Sequence, residues 1–330
     1  WASRVDIIKN FDSHPVTWEA PKESRGRPQT SSVFIALWNL LNSPFTEKKT
    51  TCNTEKKSFY FFLAKKKEPT GGRTMAKAAD VYFQVDPWKV IEQGFDPAYA
   101  RVSESIFSLG NESIGVRGCF DEGGHVDSLR GAYTNGIYDM EKLNRSYKGI
   151  IDKTHFMIPS AEWLMTTISV DVDLGQSQFS DFTRELNLRA GTLTRRFLWT
   201  TKSGKQIRLT FLRFLDMVHR ERAYQRITLE ALNFTGSAMV TSGMSFDVVH
   251  EGRQKCFWQE TRIDAKPDCL MAQSRTTLSN QEEFCGAWLT LPGESTTSAE
   301  GKTVTATADV LLAPGQAVQI DKRAVVLFNG

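Results

Sequence analysis

The sequence predicts a mainly β fold, a large antiparallel β-sandwich, on three observations. Residues 168–174, Ile-Ser-Val-Asp-Val-Asp-Leu, alternate apolar with polar, the period of a half-buried strand. Thr192 to Thr201 and Gln206 to Phe214 are two longer runs joined by Lys202-Ser-Gly-Lys205, a hairpin with a glycine in its turn. Further runs at 226–232, 303–312 and 316–327 follow, with Asn233-Phe-Thr-Gly236 and Ala313-Pro-Gly315 as turns. Strands at this spacing, punctuated by Gly and Asn, are the pattern of a sandwich. Trp163, Trp199, Phe211 and Phe214 fall on predicted strands and are expected in its core.

Between residues 86 and 138 the elements are shorter. The Asp86 to Ser105 region supplies one short helix. Glu104 to Leu109, weighted by Ile106, Phe107 and Leu109, reads as a buried strand, broken by Gly110-Asn111. Ile114 and Val116 alternate with Gly115 and Arg117 as a second strand, and Gly115 and Gly118 imply close backbone approach. Asp121-Glu-Gly-Gly124 is a turn, and Ala132 to Tyr138 reads as one more strand.

Bulk properties narrow the function classes. The 330 residues are 40% hydrophobic and 24% charged, ordinary for a soluble globular chain, and no apolar run approaches a membrane span. Five scattered cysteines, without Cys-x-x-Cys spacing, predict free thiols in a reducing compartment, hence a cytoplasmic protein. His155, His219 and His250 lack metal-ligand spacing, so no metal is expected. Glu122-Gly-Gly124 follows no strand-to-helix junction with a lysine, which excludes a phosphate-binding P-loop.

The net charge of +3 is uneven. Residues 1–74 hold thirteen Lys or Arg against seven Asp or Glu, and residues 75–330 hold 28 against 31. The lead lysines sit in short clusters without helical or strand period, so residues 1–74 read as a poorly ordered leader or translated upstream sequence. Met75 stands where the patterned sequence begins, and codons for Gly71-Gly72-Arg73-Thr74 can carry a GGAGG element ahead of a start. A basic nucleic-acid or membrane arm is the alternative. The expected organisation is therefore a leader at 1–74 and a sandwich at 75–330, with neither nucleic acid nor membrane as partner.

Residues 103–118, Ser-Glu-Ser-Ile-Phe-Ser-Leu-Gly-Asn-Glu-Ser-Ile-Gly-Val-Arg-Gly, followed by Gly131-Ala-Tyr-Thr-Asn-Gly-Ile-Tyr138, resemble the start of glycoside hydrolase family 65. The likeness extends through Phe179 to Arg195 and His219 to Ile227. One departure is Glu112, where the family usually has Gly, which points to a subgroup of different specificity. The family contains inverting phosphorylases of maltose, trehalose, kojibiose and nigerose. The resemblance implies a sandwich of the galactose-mutarotase-like supersandwich type, which in full-length members precedes an (α/α)6 catalytic barrel. It implies an α-glucoside disaccharide as substrate, inorganic phosphate as co-substrate, no metal or organic cofactor, and β-glucose 1-phosphate as product. The acid and the phosphate loop lie on the barrel, so no catalytic residue is expected in this chain.

Arg117, Tyr133 and Asn135 are the candidate substrate-binding residues, where sandwich loops would meet the barrel. Arg and Tyr can hydrogen-bond sugar hydroxyls and a Tyr ring can stack on a pyranose. The alternative is that Arg117 is a structural donor and Tyr133 is core. Glu104, Glu112, Asp121 and Glu122 are read as Arg-paired or exposed turn carboxylates. The function expected is that of a non-catalytic N-terminal domain. A free-standing carbohydrate-binding module, or an oligomerisation sandwich forming a homodimer, is the other reading.

Overall fold

The computed structural model describes Gln84 and residues 86–329, apart from 125–126, 148–150 and 175–178; the predicted leader lies outside the described residues. Strand β1 (Lys89–Gln93) leads through a 3-10 turn (Pro97–Tyr99) to helix α1 (Ala100–Ile106). The short strands β2 (Leu109–Gly110), β3 (Ile114–Val116) and β4 (Ala132–Thr134) come next. A hairpin of β5 (Tyr138–Tyr147) and β6 (Ile151–Met157) precedes β7 (Thr166–Val170) and β8 (Val172–Asp173). The long strands are β9 (Phe179–Asn187), β10 (Thr192–Thr200), β11 (Gln206–Leu215), β12 (Arg222–Ala231) and β13 (Gly236–Ser245). They are followed by β14 (Trp258–Lys266), β15 (Cys269–Thr276) and β16 (Glu282–Thr290). The series closes with β17 (Ser295–Glu300), β18 (Thr303–Leu312) and β19 (Ala317–Asn329).

The predicted antiparallel sandwich is what the chain forms. One sheet has nine strands in the order β1-β9-β10-β11-β12-β19-β16-β15-β14, and the facing sheet has five, β17-β18-β13-β7-β8. The two sheets share a core: Trp199, Ile207, Leu209 and Ile227 of the larger pack with Val240, Val310 and Leu312 of the smaller. A second cluster joins Leu193, Leu215 and Ala324 to Met244 and Val304 and to Ile114 and Val116 of the three-stranded β2-β3-β4 sheet. The hairpin predicted at Lys202–Lys205 forms, with Thr200 opposite Gln206 and Gly204 at φ 82°.

Four local expectations are corrected. Residues 104–106 are helical, because the Asp96 side chain accepts from Ala98 N and starts the turn that α1 continues; a short apolar run does not distinguish the two periods. The alternating run at 168–174 is interrupted at Asp171, whose φ of 64° folds β8 back on β7 with Ser169 opposite Asp173. The Asp171 carboxylate accepts from Lys205 Nζ at 2.7 Å and Thr201 Oγ1 at 3.3 Å, and from Ser203 Oγ, which holds that conformation. Ala132 to Tyr138 is two strands, since Gly136 turns at φ 93°. Trp163 is core but lies in a turn, and Phe214 points to the other face, stacked on Tyr224 at 4.6 Å.

Candidate functional site

The inward face of the nine-stranded sheet carries a row of cations where alternation would place hydrophobes. Arg184 on β9 is flanked by Phe182 and Leu186, Arg195 on β10 by Leu193 and Phe197, and Arg213 on β11 by Phe211 and Leu215. Gln225 on β12 and Lys322 on β19 continue the row, Arg213 lying opposite Gln225 and Gln225 opposite Lys322. All five are buried, and the row separates the two hydrophobic clusters, each flanking pair contributing one residue to each.

Buried charge requires partners, and residues 117–122 supply those of Arg195 and Arg213. Arg195 pairs with Glu122 and lies 3.4 Å from Asp121; Arg213 lies 3.6 Å from Asp121 and donates to the Arg117 and Cys119 carbonyls. Gln225 Nε2 donates to Asp121 Oδ1 at 2.6 Å. Arg184 pairs with Glu92 at 2.6 Å and donates to Gly118 O. Burial by itself raises the Asp121 carboxyl, but Arg213, Arg195 and the Gln225 bond overcome it and hold Asp121 below the ordinary carboxylate range. Lys322, pulled down by burial to about 7, donates to the carbonyls of Trp163, Met165 and Gly243 at 2.9–3.0 Å. The turn expected at Asp121–Gly124 is thus an ion-paired plug set into the sandwich.

Beside the plug is a cleft of about 450 Å³ where the starts of β7 and β18 meet the end of β13. Arg130 lines it, donating to Glu162 Oε2 at 2.9 Å and to Asp121 O, together with Thr166, Ser245, Asp247 and Val248. This lining offers hydroxyls, carboxylates and one guanidinium, a hydrogen-bonding surface of the kind a polyol can use. Acid–base work on a glycoside needs a raised carboxyl beside a second carboxylate. Glu283, the carboxyl that burial raises, is wholly buried away from the cleft, accepting from Ser160 Oγ at 2.5 Å and Ala161 N at 2.9 Å. A raised carboxyl favours folding below its unfolded value and loses that contribution as pH rises through its folded value. Glu283→Gln is therefore expected to melt higher than the parent at neutral pH, with the gap closing in acid; parallel thermal melts check it.

The structure brings two of the three sequence candidates together. Arg117 is buried, its Nη2 donating to Ser105 Oγ at 2.9 Å and Arg101 O at 3.2 Å, and its backbone N donates to Gly131 O. Tyr133 is half-buried against Gly131; burial raises its phenol while Arg117 lowers it. Asn135 is exposed in the turn after β4, with its N donating to Ser113 O and its side chain to Glu112 O at 3.3 Å. Of the four turn carboxylates, Glu112 is exposed and pairs with Arg220, and the other three are buried. Glu104 accepts from Leu129 N at 2.8 Å and from Ser128 Oγ. The inward arginines and Lys322 were missed in sequence reasoning. Their signal was phase: each sits two residues from apolar neighbours on both sides, in step with the core.

Among the described residues no helix is long and apolar enough to cross a membrane, and no group of His, Cys, Asp and Glu is placed to hold a metal. Cys119, Cys256, Cys269 and Cys285 are free thiols.

Known proteins give the same assignment. The maltose phosphorylase of Bacillus subtilis is 32% identical over 187 residues, 54% of this chain and 24% of that protein. An uncharacterised glycosyl hydrolase of Mycobacterium tuberculosis is 33% identical over 159 residues, 46% of this chain and 20% of that protein. A solved structure assigned as a kojibiose phosphorylase from the human microbiome superposes with a TM-score of 0.71 at 30% identity, covering 75% of this chain and 33% of that one. The chain thus spans about a fifth to a quarter of the length of these curated relatives. Residues 90–329 match the profile of the glycosyl hydrolase family 65 N-terminal domain, and the chain belongs to that family.

Proposed function

We propose that this chain is the non-catalytic N-terminal sandwich of an inverting α-glucoside phosphorylase of carbohydrate metabolism. The parent reaction is phosphorolysis of a disaccharide to β-glucose 1-phosphate, with inorganic phosphate as the attacking group. The observation that carries this reading is the match of residues 90–329 to the family's N-terminal domain, together with relatives named as maltose, trehalose and kojibiose phosphorylases. The carboxylate chemistry supports the same reading: Asp121 and Glu122, on the cleft, are committed to buried arginines and do not form an acid–base pair. The unpaired thiols support a cytoplasmic setting. In this reading residues 75–330 form one galactose-mutarotase-like domain. Tyr133, Arg117 and the Asn135 turn shape the sugar pocket from the sandwich side.

The test is release of β-glucose 1-phosphate from maltose, kojibiose, trehalose and nigerose, assayed with and without phosphate. The chain alone is expected to release none. A chimaera in which residues 86–329 replace the matching segment of the Bacillus subtilis maltose phosphorylase is expected to release it in a phosphate-dependent way. Sugar cleavage by the chain alone would overturn the proposal, and tight sugar binding by the chain without activity in the chimaera would favour a free-standing binding module.

A further inference from the structure

Between the plug and the row of cations lies a small cavity of about 10 Å³. Three guanidiniums meet there, those of Arg184, Arg195 and Arg213, against Asp121 and the apolar walls of Leu193 and Phe211. The space admits one water-sized particle and no polyatomic ion. Donors and acceptors around it are out of balance. Arg213 Nη1 and Arg184 Nη2 make no hydrogen bond, although the two residues are only 4% and 1% exposed. Arg213 Nη1 stands 3.6 Å from Asp121 Oδ1, and Arg184 Nη2, though 2.6 Å from Glu92 Oε2, is out of line with it. The acceptors, by contrast, are engaged. Asp121 Oδ1 takes the Gln225 amide, Oδ2 faces Arg195 Nη2 at 3.4 Å, and the Gly118 and Cys119 carbonyls take Arg184 and Arg213. A buried donor left unpaired is costly. A particle that accepts from both guanidiniums without donating suits this wall better than a water, which brings two hydrogens with it.

Charge points the same way. Arg184, Arg195, Arg213 and Lys322 are four cations, and Glu92, Asp121 and Glu122 are the three carboxylates they meet. Lys322 donates to three carbonyls, the number of donors an ammonium carries and one more than a neutral amine has. Gln225, the neutral member of the row, lies between Arg213 and Lys322. The neighbouring Arg130–Glu162 and Arg117–Glu104 pairs are each balanced, so the row keeps one positive charge in surplus. In a low-dielectric interior such a surplus is expensive and favours uptake of a counter-ion.

We infer that this cavity is a binding site for a single halide ion, chloride, which accepts from Arg213 Nη1 and Arg184 Nη2 and neutralises the row. Phosphate, sulfate and carboxylates are too large for it. The ion ties β9 to β11 across the plug and makes the stability of the sandwich depend on halide. The inference concerns the sandwich alone and holds whether or not the parent enzyme phosphorolyses a disaccharide.

The experiment uses the 330-residue chain, refolded without halide in sodium gluconate and then exchanged into sodium chloride at fixed ionic strength. Screening is equal in the two salts, so a site present only in the folded state raises the melting temperature in chloride by mass action. A rise of several degrees, growing with the logarithm of chloride concentration, is expected in mildly acid buffer. There Lys322, surrounded by Asp121, Glu162, Cys285 and Arg130, is charged, the pH lying below the value of about 7 to which burial pulls it. Crystals grown in sodium bromide should show an anomalous peak in the cavity, within hydrogen-bond reach of Arg213 Nη1 and Arg184 Nη2. Equal melting in the two salts, or a cavity peak without anomalous signal, would overturn the inference in favour of an ordered water. Lys322→Met removes the surplus charge two strands away from Arg213 and should shrink the chloride shift severalfold. An undiminished shift in that variant counts against the inference. The bromide crystal needs no variant, so the test stands even where Lys322→Met does not fold.

Discussion

Asp121→Ala is expected to lower the unfolding free energy of the sandwich by about 3–5 kcal/mol, the range for removing one partner of a buried ion network. The carboxylate touches three elements at once. It is the charge nearest Arg213, it lies 3.4 Å from Arg195, and it accepts the Gln225 amide. Arg195 keeps Glu122 in the variant, but Arg213 and Gln225 are left facing an apolar methyl in a site where no water reaches them easily. Chemical denaturation of parent and variant measures the loss, and a difference under about 1 kcal/mol would show that the plug is held by packing and not by charge. The pH dependence gives a second readout. A depressed carboxyl contributes stability that is fully present above its unfolded value and is lost as pH falls through the folded one. The parent should therefore lose stability below about pH 4 more steeply than Asp121→Ala does.

Gly118→Ala is expected to cost about 1–3 kcal/mol by overpacking. A Cβ built at Gly118 would lie 2.7 Å from Phe107 Cβ and 2.8 Å from Phe107 O, so the obstacle is largely backbone and cannot rotate away. The same residue donates its N–H to Glu104 O and receives Arg184 Nη1 on its carbonyl. Any shift that relieves the clash pulls on the end of α1 and on a buried arginine together. Gly236→Ala is the control: its nearest neighbour is the Phe234 ring at 3.4 Å, ordinary contact, and its melting temperature should barely move.

The architecture was legible wherever one face of a strand is wet. β10, β11, β12, β18 and β19 show apolar–polar alternation and lie where that pattern puts them. Three kinds of information were not in the local pattern. Asp171 breaks a run whose alternation continues unbroken through it, because its bend is imposed by Ser203 and Lys205, about thirty residues away. Residues 104–106 are helical although Ile106, Phe107 and Leu109 suit a strand equally well, the ambiguity of every short apolar run. The candidate site was the least legible part. Arg117 was a substrate-binding candidate with a structural donor as its alternative, and the carboxylates of the plug were left as either Arg-paired or exposed. A pair such as Asp121-Glu122 looks identical in sequence whether it meets water or Arg195. Only the phase of Arg184, Arg195, Arg213 and Lys322 within their strands distinguished the two.

Strand β19 sits between β12 and β16 in the middle of the nine-stranded sheet, although it is the last strand described in sequence order. During synthesis the half-sheet from β9 to β12 can zip up hairpin by hairpin, and so can β14 to β16, but the two halves have no direct pairing with each other. They stay separate until residues 317–329 leave the ribosome and slot between them. Final assembly is therefore a late, long-range event, the step that topology makes slow. Until it happens the nascent chain presents two unpaired inner edges, at β12 and at β16, to anything nearby. A chaperone that shields those edges, or a pause in translation just before codon 317, would change the yield of folded protein without altering a single contact in the finished molecule.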